Sequence, residues 1–146
     1  MANVKQFDNH LGIAGWLAGG RWGVERYLYI LHRVTGLGIL LFFMLHIFES
    51  SVRILGPASW EAAMTTLKHP AFKFGEFLVF LGFAFHALNG IRLILLEWGF
   101  AVGKAEEPVY PYRSSLNKQR PLMVIVVVLA AILALAGGYN IFFFLP

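Results

Sequence analysis

Five side chains that do not belong in apolar surroundings define what chemistry this chain can offer: His32, Arg33, His46, His86 and Arg92. Each falls within a stretch otherwise made largely of apolar residues. A charged side chain at the centre of a bilayer costs roughly 3 kcal/mol or more. Such groups therefore face protein, a cofactor or trapped water, and are functional candidates by default. Imidazoles ligate iron, and guanidinium groups hold or polarise oxygen anions.

His86 carries the sharpest pattern. Gly82 stands four residues before it and Gly90 four after, so both lie on its helical face, one turn to either side. That spacing clears a flat patch around an imidazole, as a porphyrin needs if its iron is to reach a ring nitrogen. The plain alternative is a core histidine hydrogen-bonded across a tight helix pair, with the glycines serving close packing. His46 lies 14 residues beyond His32, almost four turns, and so on nearly the same face as His32 and Thr35. Arg33, near the end of its apolar stretch, suits a haem propionate or a quinone carbonyl; the alternative is that it reaches out to lipid phosphates. His69, beside Pro70, and His10, near the N-terminus, read as solvated.

The elements that must position these groups follow from composition. Of 146 residues, 58% are hydrophobic and only 14% charged, with a mean hydropathy of +0.67. A soluble domain carries about a quarter charged residues, so much of this surface faces something other than water. One domain is expected at this length, a single membrane-anchor unit over residues 1–146. About 20 apolar residues cross a hydrocarbon core of about 30 Å. Three windows qualify, at residues 27–51, 74–98 and 122–145. The fold expected is all-α and integral to the membrane: three transmembrane helices in an up-down-up bundle. The first twenty residues lack a leader pattern and read as an interfacial N-terminal arm. Pro57 and Pro70 bound the first connection; Pro108, Pro111 and Pro121 bound the second. The third span has no charged residue and reads as scaffold, with Gly137 and Gly138 as a packing or kink point.

Charge sets exclusions and orientation. The net charge is +4, but the 12 Lys and Arg are scattered between apolar blocks with no basic run, which argues against nucleic acid. Lys5, Arg21, Arg26, Arg33, Lys104, Arg113, Lys118 and Arg120 flank one side, against Arg53, Lys68 and Lys73 on the other. That bias puts the N-terminus on the cytoplasmic side. Cysteine is absent, which excludes thiolate iron–sulfur clusters, c-type haem attachment and Cys-based zinc sites in this chain. With Leu28 and Trp98 taken as level helix ends, His86 lies about 18 Å from the inner surface and His46 about 27 Å. That mismatch of about 9 Å argues against one shared iron, and the third span has no histidine. A two-histidine haem at His86 then needs its other ligand from another chain.

With those residues in place, the sequence resembles the cytochrome b membrane-anchor subunit family of succinate dehydrogenase (complex II). Two blocks carry the resemblance. Leu31-His32-Arg33-Val34-Thr35-Gly36 is similar to the family's His-Arg-x-Ser/Thr-Gly in its first membrane helix. Phe85-His86-Ala87-Leu88-Asn89-Gly90-Ile91-Arg92 is similar to His-x-x-x-Gly-Ile/Leu-Arg in its second. The resemblance implies that His86 is an axial ligand of haem b, with Gly82 and Gly90 giving the ring clearance. It implies that His32 and Arg33 stand at the haem propionates and the quinone pocket, with Tyr29 and Thr35 in that pocket. Tyr29 departs from the serine of proteobacterial members, and Leu93 from their histidine. His46 is the counterpart of a second-haem ligand found in two-haem branches, or else a satisfied polar contact. The implied partners are an iron–sulfur subunit, a flavoprotein subunit and a second membrane anchor supplying another haem ligand. The setting implied is a bacterial or archaeal cell membrane, with quinone as substrate and no catalysis by this chain alone. Rival readings are a haem-free structural anchor, a fumarate reductase anchor working in reverse, and the cytochrome of another membrane oxidoreductase such as formate dehydrogenase. The last expects paired ligands within one chain, usually on four spans.

Overall fold

The computed structural model describes residues 23–104, 107, 109–111 and 114–144. The expected N-terminal arm, with His10, lies outside them. Helix α1 spans Val24–Ser51 and runs on through a 3-10 turn at Val52–Leu55. A short helix α2 covers Pro57–Leu67, and α3 covers Pro70–Glu97. A second 3-10 turn at Ser115–Lys118 leads into α4, Arg120–Tyr139, which ends in a π-helical turn at Asn140–Phe144. Among the described residues there is no strand.

Among the described residues, three helical segments are long and apolar enough to cross a membrane: Val24–Leu55, Pro70–Glu97 and Arg120–Phe144. Each starts a few residues before the window that hydropathy alone selects. The reason lies in the caps, which are polar or proline and so depress hydropathy while favouring helix. Pro70 opens α3, where its missing N–H costs nothing, and Pro121 lies in the first turn of α4. His69, expected to be solvated, is exposed and also caps α3: its Nδ1 accepts from the Ala71 N–H at 3.2 Å. The first connection holds the unexpected helix α2. It starts with Pro57 after Gly56, whose φ of +102° is open to glycine at little cost. The Arg53 guanidinium lies 4.3 Å from the Trp60 ring centroid and holds α2 to the end of α1.

Helix α3 is central, packing on both α1 and α4. Along the α1–α3 seam the contacts run in opposite senses: His32 meets Gly90 while Thr35, further along α1, meets Gly82. Leu28, Phe85 and Met123, one from each long helix, form a buried cluster. On the α4 side, a Cβ at Gly137 would fall inside the Phe80 ring, and one at Gly138 would lie 3.1 Å from Phe77. Both glycines are therefore packing points at which aromatic rings of α3 reach the α4 backbone. Glu25 and Arg120 pair at 3.2 Å and tie the start of α1 to the start of α4. The far half of α1 exposes Leu37, Leu41, Phe43, Leu45 and Phe48. In a membrane, that face meets lipid or another subunit.

Candidate functional site

The α1–α3 seam brings together the two histidines of the sequence blocks. The rings of His32 and His86 stack with centroids 3.9 Å apart and planes 5° from parallel. His86 Nδ1 lies 3.0 Å from the His32 backbone carbonyl and 3.3 Å from Thr35 Oγ1. A carbonyl can only accept, so Nδ1 carries the proton and Nε2 keeps its lone pair. The Thr35 hydroxyl donates toward the carbonyls of Leu31 (2.8 Å) and His32 (3.0 Å), which turns its oxygen to accept from His86. Ligating histidines are commonly held in this manner, one nitrogen donating to a carbonyl and the other left for metal. The residues present therefore fit a haem iron at His86 Nε2.

The glycine that makes this placement possible sits on the opposite helix. A Cβ at Gly36 would lie 2.8 Å from His86 Cε1 and 3.3 Å from Nδ1. Gly82 and Gly90 are less constrained. A Cβ at Gly82 would meet Thr35 Cγ2 at 3.8 Å, and one at Gly90 would meet His32 Cε1 at 3.6 Å, both ordinary contacts. Gly36→Ala is thus expected to push the His86 ring off its carbonyl and to cost about 1–3 kcal/mol through overpacking. Thermal unfolding in detergent measures this, with Gly82→Ala as the matched control of small effect. Equal behaviour of the two variants would remove Gly36 from the site.

The stack also corrects the depth estimate. Leu28 and Trp98 are not level: His32 meets Gly90, so Leu28, one turn back, stands near Ile94, and Arg92 shares a cleft with Glu25 and Tyr29. The His86 ring lies against His32 and Gly36, 14 and 10 residues before His46, so His46 is about 15–21 Å along α1 from it rather than 9 Å in depth. His46 Nδ1 lies 3.2 Å from Glu49 Oε2, and its ring stacks on Phe42 at 5.8 Å, in an exposed position.

Tyr29 and Arg33 meet one turn apart: Arg33 NH1 donates to the Tyr29 hydroxyl at 2.9 Å, and the guanidinium lies 5.5 Å from the ring centroid. Tyr29 also borders a cleft of about 230 Å³ with Glu25, Asn89, Arg92, Leu93, Leu96, Leu116 and Gln119. Asn89 and Arg92 are 1% and 5% exposed, and Arg92 NH1 donates to Asn89 Oδ1 at 3.2 Å. The sequence reading flagged Arg92 as a charge within a span but gave it no partner, and it overlooked Gly36. Gly36 closes the first sequence block, yet nothing in a linear pattern says which helix must yield space to an imidazole.

Two clefts flank the seam at Thr35 and Gly82. One, of about 300 Å³, is closed by Ala130 and Ala131 of α4. The other, of about 210 Å³, is lined by Gly38, Ile39 and Val79 and contains no α4 residue. Val79 and His86 are seven residues apart and lie on one stripe of α3. His86 thus borders a face that the described residues leave uncovered.

Comparison with known proteins yields two findings. Residues 9–136 match the family described as "Succinate dehydrogenase/Fumarate reductase transmembrane subunit". The chain is also similar to the "Succinate dehydrogenase 2 membrane subunit SdhC" of Mycobacterium tuberculosis, at 31% identity over 70 residues. That alignment covers 48% of this chain and 52% of the relative, so the chain spans about half the length of the curated relative it matches.

Proposed function

Because the chain belongs to the succinate dehydrogenase/fumarate reductase transmembrane subunit family, we propose that it is the haem b-binding anchor of a succinate dehydrogenase. The observation that carries this reading is the His86 imidazole, with Nδ1 bound to the His32 carbonyl and Nε2 left as a ligand. Haem b, when bound, supplies a one-electron relay within the membrane. His86 would hold the iron. His32, whose Nδ1 is buried without a partner, and Arg33 would hold the propionates. The open α1–α3 face beside His86 supports a second anchor subunit that would supply a further histidine to the haem. An iron–sulfur subunit and a flavoprotein subunit would deliver electrons from succinate, since a chain without cysteine builds no cluster of its own. The basic residues favour an up-down-up insertion in a bacterial or archaeal cell membrane, N-terminus in the cytoplasm.

Quinone reduction places growing negative charge on the quinone oxygens. Arg33 and Tyr29 suit that task. The Tyr29 oxygen accepts from Arg33 and so keeps its own proton to donate, while the guanidinium supplies fixed positive charge. Isolation of the complex in mild detergent tests the whole reading. One or two low-spin haems b and co-purifying flavin and iron–sulfur subunits are expected, whereas companions with no b-type absorption indicate a haem-free anchor.

His46 is the position for a second haem. Its Nδ1 is engaged by Glu49, which again leaves Nε2 available. If two haems are bound, His46→Ala halves the haem content per complex, as measured by pyridine haemochrome. An unaltered content assigns His46 to the contact with Glu49 alone.

A further inference from the structure

Asn89 and Arg92 are the most deeply buried polar side chains among the described residues, and the redox groups proposed above do not use them. Their one mutual hydrogen bond leaves Asn89 Nδ2 and Arg92 Nε buried without partners. Among the described residues Arg92 makes no ion pair; Glu25, the carboxylate on the same cleft, is engaged by Arg120 at 3.2 Å. Arg92, Arg120 and Glu25 together carry a net charge of +1. Glu25 faces both guanidinium groups but bonds Arg120, so Arg92 keeps unmet donors, and an anion with several acceptor oxygens relieves them.

We infer that this cleft binds the phosphate group of a membrane phospholipid. The orphan donors call for an oxyanion with several acceptor oxygens. The cleft, at about 230 Å³, exceeds several times the ~30 Å³ share of one water, so a lone trapped water does not fill it. Beside Tyr29 and Gln119, the side chains of Leu93, Leu96 and Leu116 also line it and suit the first carbons of an acyl chain, which a free inorganic anion lacks. The position agrees with a headgroup. Arg92 is five residues, about 8 Å, from the end of α3 at Glu97, beside the starts of α1 and α4. It is also distinct from the haem face: Arg92 lies six residues beyond His86, about 120° around α3, toward Leu116 and Gln119.

The test uses the purified full complex, stripped of lipid by detergent exchange. Phosphatidylglycerol, diacylglycerol with the same chains, and inorganic phosphate are each titrated, with native mass spectrometry and thermal unfolding as readouts. Phosphatidylglycerol is expected to bind this chain with saturable one-to-one stoichiometry and to raise Tm, while diacylglycerol and millimolar phosphate do neither. Arg92→Lys keeps the charge but loses Nε, and is expected to weaken retention about tenfold or more. Equal protection by diacylglycerol, or by inorganic phosphate alone, overturns the inference. So does unchanged lipid affinity in Arg92→Lys. If that variant fails to assemble, the three-ligand comparison on the wild-type complex decides.

Discussion

Replacing His86 with alanine is expected to remove low-spin haem from the complex while leaving the three helices in place. The imidazole is held at three points: the His32 carbonyl at 3.0 Å, the Thr35 hydroxyl at 3.3 Å, and the His32 ring stacked at 3.9 Å. Only Nε2 remains for iron. Alanine deletes that ligand, so the optical bands of bis-histidine haem should vanish or shift to a high-spin form, and haem iron per complex should fall. Thr35→Val separates ligation from positioning. It keeps the ligand and removes the hydroxyl, with its 3.3 Å contact to His86 and its bonds to the Leu31 and His32 carbonyls, so haem should be retained with a shifted reduction potential. A His86→Ala complex with an unchanged low-spin spectrum ends the assignment.

Arg33→Ala should lower quinone reduction by about 100- to 1000-fold, the usual effect of deleting one preorganised donor at a developing oxyanion. Arg33 is exposed and, among the described residues, bonds only within α1, to Tyr29. Its loss should therefore leave assembly and the oxidation of succinate by artificial dyes untouched. The two assays on one preparation divide the outcomes. Loss of quinone activity alone supports the role, whereas intact quinone activity means that the guanidinium merely reaches lipid phosphate. Loss of both activities would point to a docking defect at the iron–sulfur subunit instead.

The three spans were legible because apolar length is a one-dimensional property that no rearrangement of neighbours changes. Relative depth was not. It depends on where α3 slides along α1, and the contacts of His32 with Gly90 and of Thr35 with Gly82 mark that offset. For the same reason the sequence found glycines on His86's own helix and missed Gly36. Spacing of four residues reports one helix face, while clearance across a seam depends on the rotation of two. Helix α2 was missed because proline at 57 and at 70 read as the bounds of a connection, although Pro57 followed by Ala, Glu and Met is also a sound helix start. His32 was placed with the propionates by resemblance. That it stacks on His86 came only from the packed helices.

A cryo-electron-microscopy map of the complex in lipid gives the most direct test. A flat tetrapyrrole should lie at coordination distance from Nε2 of His86, with an imidazole from a neighbouring subunit on its other side. A map in which His86 remains stacked on His32 and only lipid or protein adjoins Nε2 contradicts the haem assignment outright.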